Sequence, residues 1–188
     1  MHDFDPSAPA VNPNVPRTKG LRIEDLVVGM KANAERVITE ADVALFAGLS
    51  GDHNPVHLDE SYARGTRFHG RIVHGMFSAS LLSAVIANQL PGPGSIYLSQ
   101  TLTFLAPVRI GDRVDAEVTV TDVELDSMCV SLQTICRVGD RNVLDGRAMV
   151  LMESSCPVTI DRSSGNETIR ADLSARHVNE SPGRSFGR

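Results

Sequence analysis

Two short stretches hold most of the residues that could do chemistry. The first is Ser50-Gly51-Asp52-His53-Asn54-Pro55-Val56-His57-Leu58-Asp59, and the second is Arg71-Ile72-Val73-His74-Gly75-Met76. Asp52 and His57 stand five positions apart across Asn54-Pro55. Proline fixes its own φ and biases the residue before it away from the helical region, so the backbone bends there. A bent loop can present a carboxylate and an imidazole to one small volume. The carboxylate only accepts hydrogen bonds, whereas a neutral imidazole donates at one nitrogen and accepts at the other, and it titrates near neutrality. Such a pair can hold one water and split it into a nucleophile and a proton delivered elsewhere. The same spacing also suits an Asx-type turn, with Asp52 and Asn54 capping backbone amides and His57 on the surface. Spacing alone leaves both readings open.

Gly75 follows His74 at the entrance to a stretch with helical composition. The first amides of a helix lack internal partners and carry a partial positive charge. A glycine there lets an oxygen approach the backbone, so the Gly75 amide is a candidate oxyanion donor. A packing glycine between helix and sheet is the alternative. His53, His69 and His74 read as structural or solvated imidazoles. No set of His, Asp and Glu has a metal-binding spacing such as H-E-x-x-H, so no metal is expected. Ser78, Ser80 and Ser83 lack the G-x-S-x-G elbow of a serine nucleophile, and no phosphate-cradling glycine motif occurs. No cofactor is expected, because acid–base chemistry needs none.

The elements that must position these groups can be read from periodicity. Lys31–Ile38 reads as a first strand. Thr39-Glu40-Ala41-Asp42 resembles a capping box opening a helix that Gly51 ends. From Ile72 to Val108 there is no Asp, Glu, Lys or Arg in 37 residues. Its first part, Met76–Leu90, reads as a helix buried all round, and its serines, Asn88 and Gln89 argue against a membrane span. Pro91-Gly92-Pro93-Gly94 stops it, and the period then changes from 3.6 to 2. Leu98, Leu102 and Phe104 share one parity. Val114, Ala116, Val118 and Val120 alternate with polar residues, as do Val130, Leu132, Cys136 and Val138, then Leu144, Ala148, Val150 and Met152. These are three or four antiparallel strands with one wet and one dry face. A curved sheet wrapped around one uncharged helix is an α+β hot-dog fold.

Composition bounds the rest. The 188 residues, 41% hydrophobic and 22% charged, suffice for one packed domain. A net charge of −5 with no Lys/Arg cluster disfavours nucleic acid as a partner. Residues 1–19, with four prolines, read as a disordered arm, and 154–188 as a largely disordered tail with a short helix around Glu167–Ala175. The body is therefore 20–153. The first residues have no basic and apolar run, so no secretory signal is expected. Three cysteines, Cys129, Cys136 and Cys156, lack C-x-x-C spacing. Cys129 and Cys136 have opposite parity in one strand and cannot readily bridge. A cytoplasmic setting is the simplest.

Taken with Gly94-Ser95-Ile96-Tyr97-Leu98, the two chemical stretches and the strand pattern resemble the MaoC-like (R)-specific enoyl-CoA hydratases, or hydratase 2, of the short bacterial type linked to polyhydroxyalkanoate synthesis. The resemblance covers roughly 28–152. It implies a homodimer and reversible syn addition of water to a trans-2-enoyl-CoA. By motif it makes Asp52 and His57 the catalytic pair, with Asp52 read as base and His57 as proton donor, and Gly75 the oxyanion amide. Ser83 and Asn54 take supporting roles, and Ile86, His74 and Met76 are substrate-binding. Position 53 is His where such hydratases often carry an aromatic residue, and both tails exceed the short pattern. The phosphates of coenzyme A call for a cation, with Arg64, Arg67 and Arg71 as candidates. The alternatives are a hot-dog thioesterase, disfavoured because Met76–Leu90 holds no carboxylate, a dehydratase acting on a branched or dicarboxylic acyl-CoA, and a non-catalytic acyl-CoA-binding hot dog.

Overall fold

The period-two alternation within 113–152 builds three long antiparallel strands, and the uncharged segment before them supplies the helix they enclose. The computed structural model describes residues 19–152 and the backbone of 159–161 and 168–170. In chain order the elements are β1 (Lys31–Val37), α1 (Glu40–Ser50), α2 (Pro55–Leu58), α3 (Glu60–Arg64), α4 (Gly75–Asn88), β2 (Ser95–Phe104), β3 (Arg113–Glu124), β4 (Cys129–Val138), β5 (Arg141–Met152), β6 (Thr159–Asp161) and β7 (Thr168–Arg170). The first five strands form one antiparallel sheet in the order β1-β3-β4-β5-β2. Val114, Ala116, Val118 and Val120 of β3 and Val130, Leu132, Thr134 and Cys136 of β4 are buried against Ser78, Leu82, Val85 and Ile86 of α4. On the opposite face Lys31 and Arg137 pair with Glu117, and Asn33 donates to Asp115. This is the hot-dog fold.

The capping box forms as the sequence predicts. The Asp42 amide donates to the Thr39 hydroxyl, and the Thr39 amide donates to the Asp42 carboxylate at 2.9 Å. A hydrogen bond from Arg36, together with those from Thr39, lowers the Asp42 carboxyl to about 2. Gly51 ends α1 in the left-handed region at φ 75°, where a side chain would be strained, and so turns the chain into the Asp52 loop.

Three expectations are corrected. The charge-free helix is not buried all round: Met76, Ser80, Ser83, Ala84 and Ala87 form an exposed face. Leu98 and Phe104 do not form a dry face with Leu102. A bulge falls between Tyr97 and Ser99, Leu98 and Phe104 are exposed, and β2 is an edge strand whose outer side pairs with nothing among the described residues. Finally, Thr168–Arg170, inside the helix expected around 167–175, is a strand pairing with Thr159–Asp161. The arm expected over 1–19 lies outside the described residues apart from Lys19, as do Cys156 and most of 154–188. Cys129 and Cys136 are free thiols, and burial pushes the Cys136 thiol up to about 12, so it is inert at neutral pH.

Candidate active site

The loop that carries Asp52 is shaped by side chains capping its own backbone. The Asn54 amide donates to Oδ1 of Asp52, and the Val56 amide donates to Oδ1 of Asn54, which caps α2 with Pro55 in its first turn. The Asx turn is thus real. It does not put His57 on the surface, however, because α2 rolls that side chain inward to 10% exposure while Asp52 stays half-exposed. The turn and the pair coexist: one carboxylate oxygen holds the loop and the other is free for chemistry.

Three hydrogen bonds stitch this loop to the segment entering α4. The Ile72 amide donates to the Val56 carbonyl, Nδ1 of His57 donates to the Ile72 carbonyl at 2.9 Å, and Nε2 of His74 donates to the Asp52 carbonyl at 3.0 Å. A carbonyl only accepts, so each bond fixes a tautomer. His57 therefore turns Nε2 toward Asp52, with 3.9 Å between that nitrogen and Oδ2. The gap is too long for a direct hydrogen bond. A water at about 2.8 Å from each atom would subtend roughly 90° between them, close to the angle at which its own two hydrogens point.

His74 is the N-cap residue of α4, and its carbonyl receives the Phe77 and Ser78 amides, the first bonds of the helix. Gly75, the first residue of α4, precedes them and lines the same pocket as Asp52 and His57. That pocket is a cavity of about 380 Å³, walled by Ile72, Ser78, Phe104, Leu105 and Leu144 among others. An oxygen bound at the Gly75 amide sits on the positive end of a 14-residue helix.

The other predicted residues divide. His74 and Met76 line the pocket, and Asn54 shapes its loop. Ile86 is buried in the core and does not line it, because it lies on the sheet-facing side of α4 three turns on. Ser83 is exposed on the outer face of α4, away from this pocket. His53 and His69 are exposed, as expected of solvated residues. Among the arginines offered for phosphate, Arg64 pairs with Glu60, and Arg71 with Glu40 and Glu60. Arg67 lines the pocket with its guanidinium 4.9 Å over the Phe68 ring. The sequence alone does not single out Ser78 of α4, or Phe104 and Leu105 at the end of β2, as lining; the only signal is that all three fall in the stretch from 72 to 108 that carries no charge.

Asp52, His57 and His74 also bring three potential ligand atoms within 4.8 Å of one another. The two rings are stacked, with centroids 3.9 Å apart and planes 29° from parallel. Ring lone pairs lie in the ring planes, so stacked imidazoles aim past each other rather than at one ion. The arrangement suits a water-holding pair better than a metal.

Comparison with known proteins gives the family. The MaoC like domain matches residues 27–136. The chain belongs to the MaoC-like family. A relative named (R)-specific enoyl-CoA hydratase, from Rhodospirillum rubrum, is 49% identical over 69% of this chain and 90% of that protein. One named 3-hydroxybutyryl-CoA dehydratase, from Methylorubrum extorquens, is 46% identical over 72% of this chain and 87% of that protein. The structure of an (R)-hydratase from Aeromonas caviae involved in PHA biosynthesis superposes with a TM-score of 0.67 at 45% identity, covering 69% of this chain and 99% of that one. Among the described residues of this MaoC-like chain, no helix is long and apolar enough to cross a membrane.

Proposed function

We propose that the chain is an (R)-specific enoyl-CoA hydratase, adding water reversibly and syn across a trans-2-enoyl-CoA to give the (R)-3-hydroxyacyl-CoA. The observation that carries this reading is the 3.9 Å gap between Oδ2 of Asp52 and Nε2 of His57, in one pocket with the Gly75 amide. The names of relatives at 46% to 49% identity support it. Attack of water at C3 pushes charge onto the thioester oxygen, which the Gly75 amide and the α4 dipole are placed to stabilise. The water loses a proton to the Asp52–His57 pair as its oxygen bonds to C3, and the pair returns one proton to C2 on the same face. Nothing is consumed but water and the enoyl group. The (R) product suits a polymerase of hydroxyacyl units as the next step. Arg67 is our choice for a phosphate of coenzyme A, and we place the reaction in the cytoplasm on the cysteine count alone.

The expected result is direct. Purified protein removes the conjugated-enoyl absorbance of crotonyl-CoA without added cofactor, and chiral analysis of the product gives the (R) alcohol. Free thiol released instead of alcohol would establish the thioesterase reading. Calorimetric binding without turnover would establish the non-catalytic one.

We further propose a homodimer joined through β2 and the exposed face of α4. The ten-residue β2 has no charged residue, and Tyr97, Leu98, Phe104 and Leu105 are exposed along or beside it. Long uncharged edges are normally covered or broken by charge. Any supporting role of Ser83 would be exercised across that interface, since it faces away from its own chain's pocket. Light scattering is expected to give the mass of two chains and, for Leu98→Lys, a shift toward one. A wild-type monomer would end this part of the reading.

A further inference from the structure

His74 is a buried polar residue at the junction of the Asp52 loop and α4. It is 1% exposed, its Nε2–H is donated to the Asp52 carbonyl at 3.0 Å, and its Nδ1 is buried without a hydrogen-bond partner. One face of its ring stacks on His57, and Phe46 of α1 lies 5.1 Å away in a tilted contact. Its own carbonyl starts the hydrogen-bond ladder of α4. A buried nitrogen left unpaired destabilises a fold, so a packing role alone would be filled better by an aromatic hydrocarbon.

We propose that His74 is a positioning residue that locks the Asp52–His57 pair and the Gly75 amide into one rigid unit. It acts by donating from Nε2 to the Asp52 backbone while its ring serves as the platform for His57. The residue touches neither water nor substrate in this role. It sets the distance between the water-holding atoms and the oxyanion amide, because the side chain grips one and the backbone continues into the other. A displacement of about 1 Å between such groups is enough to slow a reaction a hundredfold. The role requires a neutral ring. A protonated one would need an acceptor for Nδ1, and it would face His57 and, farther out, His53, with only Asp52 as a compensating charge. Burial, with a smaller contribution from His57, accordingly lowers its pKa below the usual 6.5.

The kinetic part of the test rests on the hydratase reading. His74→Phe keeps a stackable ring but cannot donate; His74→Gln has an amide nitrogen near the position of Nε2 but no ring. If the tether matters, His74→Phe lowers kcat for crotonyl-CoA about 10- to 100-fold with KM changed less than about threefold, and His74→Gln recovers a clear part of that loss. A purely structural residue gives the reverse order, since phenylalanine fills the space better, and that order would overturn the proposal. Nitrogen-detected histidine NMR on the wild-type protein needs neither substrate nor variant. It is expected to show His74 as the neutral Nε2–H tautomer, still neutral at pH values where an ordinary imidazole has begun to protonate, and His57 with its proton on Nδ1 when neutral. An ordinary titration of His74 with its proton on Nδ1 would also sink the proposal. This spectrum holds its meaning even if crotonyl-CoA proves not to be a substrate.

Discussion

Asp52→Asn and His57→Gln are each expected to lower kcat for crotonyl-CoA hydration by about 10²–10⁴, the range over which a positioned acid–base group contributes. KM should change little, because neither group is placed to grip the acyl chain or the nucleotide. The fold should survive both changes. An asparagine at 52 keeps a carbonyl oxygen that can receive the Asn54 amide, so the Asx turn persists. A glutamine at 57 keeps a donor for the Ile72 carbonyl. What each loses is one of the two atoms that face each other across 3.9 Å. Because one water bridges both, removing the second after the first should add little. The double variant is then expected within about tenfold of the slower single variant, as for residues acting as a unit. Stopped-flow absorbance with crotonyl-CoA measures all three. Near wild-type rates for both single variants would show that the pair does not hold the reacting water, and multiplicative losses would show that the two residues act at separate steps.

The parts of this arrangement legible in the sequence are those fixed by local chemistry. Thr39 and Asp42 announce a helix start because a hydroxyl and a carboxylate three residues apart satisfy each other's amides, whatever the tertiary fold. Gly51 announces its end for the same reason. Period two in β3, β4 and β5 reports which side of each strand is dry, and the register follows it. The misreadings within 20–153 concern what a residue meets from elsewhere in the fold. An uncharged stretch tells that water is not the intended neighbour of α4 and β2. It does not tell whether the neighbour is the same chain or another, so the face of Ser80, Ser83, Ala84 and Ala87 was expected inside the sheet and is found outside it. His74 reads as an ordinary imidazole because nothing near it in sequence predicts the Asp52 carbonyl, 22 residues away, as its partner. Ile86 shares a helix with the site but faces the sheet, a matter of helical phase that composition leaves undetermined.

The amide at Gly75 can be tested separately from the acid–base pair, because proline is the one residue that removes it and tolerates the first turn of a helix. His74, with φ −57° and ψ 131°, already has the extended conformation required before proline. The obstacle is steric. A Cβ at position 75 would lie 2.7 Å from Cε1 of Phe104, so any side chain there displaces that ring. The substitution is therefore made in a Phe104→Ala background, with Gly75→Ala/Phe104→Ala as the reference that carries the Cβ but keeps the N–H. Gly75→Pro/Phe104→Ala is expected to fall below that reference by about 10²–10³ in kcat, the usual consequence of losing one oxyanion donor. Its KM for crotonyl-CoA should stay close to the reference, since the ground-state carbonyl carries little of the charge that the amide stabilises. If the two double variants turn over at the same rate, the thioester oxygen is held elsewhere, and Gly75 serves to leave space for Phe104 rather than to donate. If both collapse relative to Phe104→Ala alone, the requirement lies in the missing Cβ and not in the amide. Only a loss specific to proline assigns the charge developing on the thioester to the first N–H of α4, the one position where the helix dipole and the Asp52–His57 water act on the same substrate from opposite ends of its conjugated system.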